Sequence, residues 1–243
     1  MICFHGIYPF AKLFVYLFLI ASNDIFHVVR MQQESEGIVH VRKRLRLASF
    51  PAILFLVLLW LIFLLGETIL PHHEMMRLGI APCEAVGLRG IFFSPLLHDS
   101  LPHLWSNTLS LFILIWFLFY FYSKIALKTF IALWIISGTV TWLIGRNALH
   151  VGASGLLFAM LFFLFFSGIF RKYIPLVSVS LIVAFVYGGS VWSMFPVAEL
   201  VDASISWEGH LSGALSGLLI ALLFRKEGPQ KPAVLWEEEE EEL

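Results

Sequence analysis

Residues 151–170 read VGASGLLFAMLFFLFFSGIF, a run without a charge that stops at Arg171-Lys172. About 20 mostly apolar residues is what a helix needs to cross the hydrocarbon of a bilayer. Further runs of the same kind lie at 47–65, 104–123, 129–145, 173–198 and 209–224, the last of them short and rich in glycine. With 59% hydrophobic and 14% charged residues and a mean hydropathy of +0.87, the chain has too little polar material to cover a soluble globule of its length. The fold expected is therefore an all-α membrane protein, a bundle of six transmembrane helices. The short connections between the runs leave no room for a soluble domain of ordinary size.

Charge sets the expected orientation. Arg42, Lys43, Arg44 and Arg46 precede the first run, and counting runs forward puts Lys124 and Lys128, Arg171 and Lys172, and Arg225 and Lys226 on that same side. The opposite side receives Arg77, Arg89 and Arg146 together with Glu199, Asp202 and Glu208. By the positive-inside rule both termini are then cytoplasmic. Residues 1–46 read as an N-terminal cytoplasmic segment. Its apolar stretch 7–21 is interrupted by Lys12 and has no convincing cleavage site after it, and Met31 is an alternative start. Residues 47–226 form the membrane domain. Residues 227–243, with the glutamate run 237–242, read as a solvated tail too acidic to fold.

Several partner classes drop out. The net charge is −1 and the basic residues sit at helix ends without forming a stripe, so no nucleic-acid partner is expected. Cys3 and Cys83 show no disulfide or metal spacing, and His73-Glu74-Met75-Met76 is followed by Arg77 where a zinc helix needs its second histidine. Neither metal nor cofactor is expected.

Polar side chains in hydrocarbon are costly, so those that interrupt the runs carry information. His103 and Asn107, four apart, share a helical face at the start of the second run. Ser154, between Gly152 and Gly155, opens the fourth run, and His210 opens the sixth. All four fall near the extracytoplasmic end. Gly155 and Ala159 make one small-residue face and Gly213 and Gly217 another, which lets two helix backbones approach closely. That approach is what a serine–histidine hydrogen bond between different helices needs.

Taken together, His98-x4-His103-x3-Asn107, Gly152-Ala153-Ser154-Gly155 and Gly209-His210-x2-Gly213-x3-Gly217 resemble the rhomboid family of intramembrane proteases. Arg89-Gly90 and the residues up to His98 resemble that family's first loop, although Leu88 stands where the family has a tryptophan. Ser123-Lys124-Ile125-Ala126 likewise lacks the glutamate and glycine common after the second span.

The resemblance implies a serine endopeptidase acting on membrane-spanning proteins. Ser154 would be the nucleophile and His210 its base, with His103, Asn107 and the Ser154 N–H stabilising the oxyanion. No acidic third member is implied, in keeping with the absence of Asp and Glu from 101–198; Glu208, two residues from His210, lies on another helical face. Phe158, four residues after Ser154, reads either as a ring stacked on the imidazole or as plain core. His98 reads as a brace for the first loop. Gly152, Gly155, Gly213, Gly217 and Arg89 are supporting positions. The expected partners are transmembrane substrates and lipid, and the expected place is the inner membrane of a bacterium with the site toward its outer face. The rivals are an inactive relative that binds membrane clients without cutting them, and a transporter, which would call for acidic residues within the runs.

Overall fold

The structure, a computed structural model, describes residues 36–69, 71–196 and 206–232. The chain divides into two units, Met1–Arg46 and Leu47–Leu243. The apolar stretch 7–21, Met31, residues 197–205 with Glu199 and Asp202, and the glutamate run 237–242 lie outside the described residues.

The elements are α1 (Glu36–Thr68), α2 (His72–Met76), a 3-10 turn (Ala85–Arg89), α3 (Gly90–Phe93), a second 3-10 turn (Ser94–Leu96), α4 (Leu101–Phe121), α5 (Ala126–Ile144), α6 (Ser154–Arg171), α7 (Ile174–Tyr187), a 3-10 segment (Gly188–Met194) and α8 (Trp207–Leu223). The only β pairing among the described residues is the antiparallel bridge between Ile80 and His150.

Among the described residues five stretches are long and apolar enough to cross a membrane: Val41–Thr68, Leu101–Phe121, Ala126–Ile144, Ser154–Arg171 and Ile174–Met194. Trp207–Leu223 and Ala85–Leu96 are shorter apolar helices. The run 173–198 is not one α-helix, because α7 tightens into 3-10 turns at Gly188-Gly189, where the helix-weakening glycines fall. Leu54, Leu61, Leu109, Ile131, Leu181 and Phe185 are each more than half exposed. In water such a surface would be a liability; against lipid it is the expected one.

α6 is the central pillar. Leu156, Phe158, Met160, Phe163 and Leu164 are all buried, and the helix packs on α4, α5, α7 and α8. Its tightest partner is α8. A Cβ added at Gly213 would lie 2.1 Å from the Gly155 carbonyl oxygen, and one at Gly217 would lie 2.3 Å from that of Ala159. The two backbones are therefore in van der Waals contact, with no side chain between them. At the far end Arg171 locks the pair. Its guanidinium donates to the carbonyls of Phe224 and Glu227 and to Ser167 Oγ, over the Tyr122 ring.

Gly213→Ala should lower the stability of the detergent-solubilised protein by about 1–3 kcal/mol through overpacking. Gly188→Ala, whose added Cβ meets nothing within 4 Å, should leave it unchanged or slightly raised, as thermal unfolding of both variants would show.

Candidate active site

Ser154 is the first residue of α6, and the chain reaches it through a turn that needs glycine. Gly152 has φ +110°, a backbone region that L side chains rarely adopt. A Cβ there would also lie 2.7 Å from Cε1 and 2.9 Å from Nε2 of His103. Glycine is thus required both by the turn and by the close approach of the His103 ring. Gly152 N–H donates to the Ser94 carbonyl (3.0 Å), fixing this turn to the first loop. α6 has no side-chain cap, since Ala153 occupies the N-cap position. Its first-turn N–H groups and the positive end of its dipole consequently face the site.

His210 sits in the first turn of α8, a helix capped by Ser206 Oγ, which accepts from Gly209 N–H at 3.1 Å. The imidazole is buried and stacked on Phe158, with centroids 4.3 Å apart and planes within 10°. Its Nδ1 meets the Ser193 carbonyl oxygen at 3.1 Å and Ser193 Oγ at 2.9 Å. Ser193 Oγ–H is itself donated to the Ser190 carbonyl at 2.7 Å. Both partners of Nδ1 are therefore acceptors, so Nδ1 carries the proton and Nε2 keeps a free lone pair. The Cβ of a residue at Gly155 would lie 3.2 Å from the Gly209 carbonyl oxygen, which places the turns bearing Ser154 and His210 side by side. Among the described residues the imidazole's hydrogen-bond partners are on Ser193 and none is on Ser154.

Two histidines from the first loop and α4 complete the cluster. Asn107 Nδ2 donates to His98 Nε2 at 3.1 Å, both residues being buried. Burial, followed by the charge of His103, brings His98 down to about 3, against an upward pull from Asp99. His98 is therefore neutral at physiological pH, with its proton on Nδ1. The His98 and His103 rings meet edge to face at 5.1 Å. His103 Nδ1 contacts Asp99 Oδ1 at 2.8 Å. Partial burial pushes Asp99 up, but the hydrogen bonds from His103 and Ser100 and the charge of His103 outweigh it and hold the carboxyl below its ordinary range.

A small cavity of about 30 Å³ adjoins Ser154, and its polar lining side chains are Ser94, Ser137, Thr141, His150 and Ser206. His150 Nδ1 and Ser206 Oγ are 2.6 Å apart, which ties the approach to Ser154 to the cap of the His210 helix. Glu208 does not join His210; its nearest cation is Arg146, with Nε 3.6 Å away. Arg89 lies away from the cluster, donating to the Arg77 carbonyl within the first loop (3.0 Å).

Asp99, Ser193, His150 and Ser206 were not singled out in the sequence. Asp99 was legible, standing four residues before His103 at helical spacing but just ahead of the charge-free run. Ser193 had no signal, because its contact with His210 is tertiary.

The model of the rhomboid domain matches residues 86–227 of this chain. An uncharacterised protein of Mycobacterium tuberculosis is 36% identical over 179 residues, covering 70% of this chain and 72% of the relative. One from Mycobacterium leprae is 34% identical over 193 residues, covering 75% and 73%. The chain belongs to the rhomboid family. Rhomboid proteins are in general intramembrane serine proteases, and the helices described here make this one an integral, multi-pass membrane protein.

In this rhomboid protein His98 provides a pH test of the cluster. Its folded-state value lies below the ordinary 6.5, at about 3, so the unfolded chain binds the extra proton first. The associated stability is complete above pH 6.5 and is lost as pH falls toward 3. At pH 5 the loss should be about 2 kcal/mol, at roughly 1.4 kcal/mol per pH unit. Unfolding curves at pH 7 and pH 5 should therefore separate more for wild type than for His98→Gln.

Proposed function

We propose that this rhomboid protein is a serine endopeptidase that hydrolyses peptide bonds in or near the transmembrane segments of other membrane proteins. The observation that carries the reading is the state of His210: its Nδ1–H is held by Ser193 and its face by Phe158, so that the Nε2 lone pair is left free beside the turn bearing Ser154. A general base needs that lone pair and a fixed ring. The stack with Phe158, worth about 0.5–1.5 kcal/mol beyond burial, does the orienting that a carboxylate does in a triad.

In this mechanism Ser154 Oγ attacks the scissile carbonyl as its proton passes to His210 Nε2. The oxyanion forms at the N-terminus of α6, where the Ser154 N–H, Asn107 and His103 supply donors. Collapse of the tetrahedral intermediate releases the amine, which takes the proton back from His210. Water entering by the cavity beside Ser154 then repeats the sequence on the acyl-enzyme and regenerates the hydroxyl.

The protease domain is assigned to residues 47–226, with six crossings of which α8 is the sixth. Residues 1–46 and 227–243 flank it in the cytoplasm. The basic clusters at 42–46, 124–128, 171–172 and 225–226 support this orientation and a site toward the outer face of a bacterial inner membrane. Substrates would then enter from the lipid as single transmembrane segments, with no metal or cofactor taking part.

A second reading, a client-binding protein that does not cut, is favoured by one observation: among the described residues the hydrogen-bond partners of the His210 ring are on Ser193 and none is on Ser154. Hydrogen bonds of catalysis often tighten only once substrate is bound.

Purified protein in detergent, incubated with a panel of single-span membrane proteins, separates the two readings. Wild type should cleave, and Ser154→Ala and His210→Ala should each lower cleavage by about 10³-fold or more. Asn107→Ala should lower kcat by about 10²–10³-fold with little change in KM. A folded wild type that binds these proteins without cleaving any would instead support the client-binding reading.

A further inference from the structure

His103 presents a problem of proton placement that its geometry makes explicit. Its Nδ1 faces Asp99 Oδ1 at 2.8 Å, so in neutral His103 the single ring proton sits on Nδ1, donated to the carboxylate. The opposite edge, Cε1 and Nε2, lies against the Gly152 backbone two residues before Ser154. In that neutral form the edge facing the reaction would carry a lone pair, which repels an oxyanion. Only the imidazolium can donate to Asp99 and to an oxyanion at once.

We propose that Asp99 is a positioning residue that holds His103 as an imidazolium, so that an Nε2–H and its positive charge face the oxyanion formed at Ser154. This rests on the protease reading above and says what charge its oxyanion site carries. The carboxylate is held by more than chance proximity. Ser100 Oγ–H donates to Asp99 Oδ1 at 3.1 Å, while Ser100 Oγ accepts the His103 N–H as the N-cap of α4. The Asp99 carboxyl is also held below its ordinary range despite partial burial, as an ion pair with His103 requires. No proton is transferred from His103 in the reaction; it stabilises the oxyanion by a charge-assisted hydrogen bond.

The titratable groups facing His103 are His98 and Asp99 from the first loop and His210 from α8. The entry to α6, residues 151–155, contributes none. His98 stays neutral throughout the working range, and His210 titrates in every variant. A change confined to one limb of the pH profile therefore reports the pair of Asp99 and His103.

The test is kcat and KM against pH for wild type, Asp99→Asn, Asp99→Glu and Asp99→Ala, with the full chain in detergent and a cleaved single-span substrate. The His103 ring nitrogens are followed in parallel by ¹⁵N-histidine NMR, assigned with His103→Gln. In wild type kcat should fall at alkaline pH with the His103 titration. In Asp99→Asn the amide oxygen still accepts from Nδ1 but the charge is gone, so both the alkaline limb and the NMR midpoint should move to lower pH, with KM nearly unchanged. Asp99→Glu should restore the wild-type limb. Asp99→Ala frees the neutral ring to carry its proton on Nε2, so a reduced activity should persist above that limb. Coincident limbs and NMR midpoints in wild type and Asp99→Asn overturn the assignment of Asp99. A wild type that neither cleaves nor reacts at Ser154 with a fluorophosphonate overturns the protease reading on which it rests.

Discussion

Everything in the site depends on the contact between the backbones of α6 and α8. Dispersion forces and lipid packing hold membrane helices together, since there is no water to drive them, and a side chain at the crossing would hold the axes apart. Gly213 against the Gly155 carbonyl and Gly217 against that of Ala159 remove that obstacle at successive turns. The same contact sets side by side the first turn of α6, with Ser154, and the first turn of α8, with His210. The Gly209 carbonyl beside Gly155 marks the point of nearest approach to the chemistry. Small residues here serve the site through packing rather than through conformational freedom.

On that frame the imidazoles are held by unlike means. His210 is fixed through a stacked phenyl ring and the Ser193 carbonyl, both neutral, which suits the proposed base, a group that has to gain a proton. His98 is buried, neutral and bonded to Asn107, a brace between the first loop and α4. His103 alone meets a carboxylate. One cluster thus contains a free lone pair, a silent neutral ring and a charged pair, and this division of labour follows from burial and partner type. Gly152, with its positive φ, lets the His103 ring close over the entry to Ser154.

The helical class and the membrane setting were legible because hydrocarbon imposes a length and polarity rule on each run independently. Runs such as 104–123 and 129–145 map closely onto α4 and α5. The run 173–198 was read as one helix because hydropathy does not distinguish an α turn from a 3-10 turn at Gly188-Gly189. Within the site, residues at fixed local spacing were legible: His103 and Asn107 along one face, and glycines every four residues along α8. Ser193 and the pairing of His150 with Ser206 were not, since each joins segments that only the folded chain brings together. Asp99 differs from these, since it stands at helical spacing from His103 but just ahead of the charge-free run 104–123.

In the proposed mechanism the α6–α8 contact turns Ser154 into a nucleophile through His210. Mass spectrometry of the protein after reaction with a fluorophosphonate tests it without needing a known substrate. One adduct is expected, on the peptide containing Ser154, formed by wild type and abolished in a folded His210→Ala variant. An unmodified Ser154 in folded wild type, or an adduct that forms equally well without His210, would contradict it.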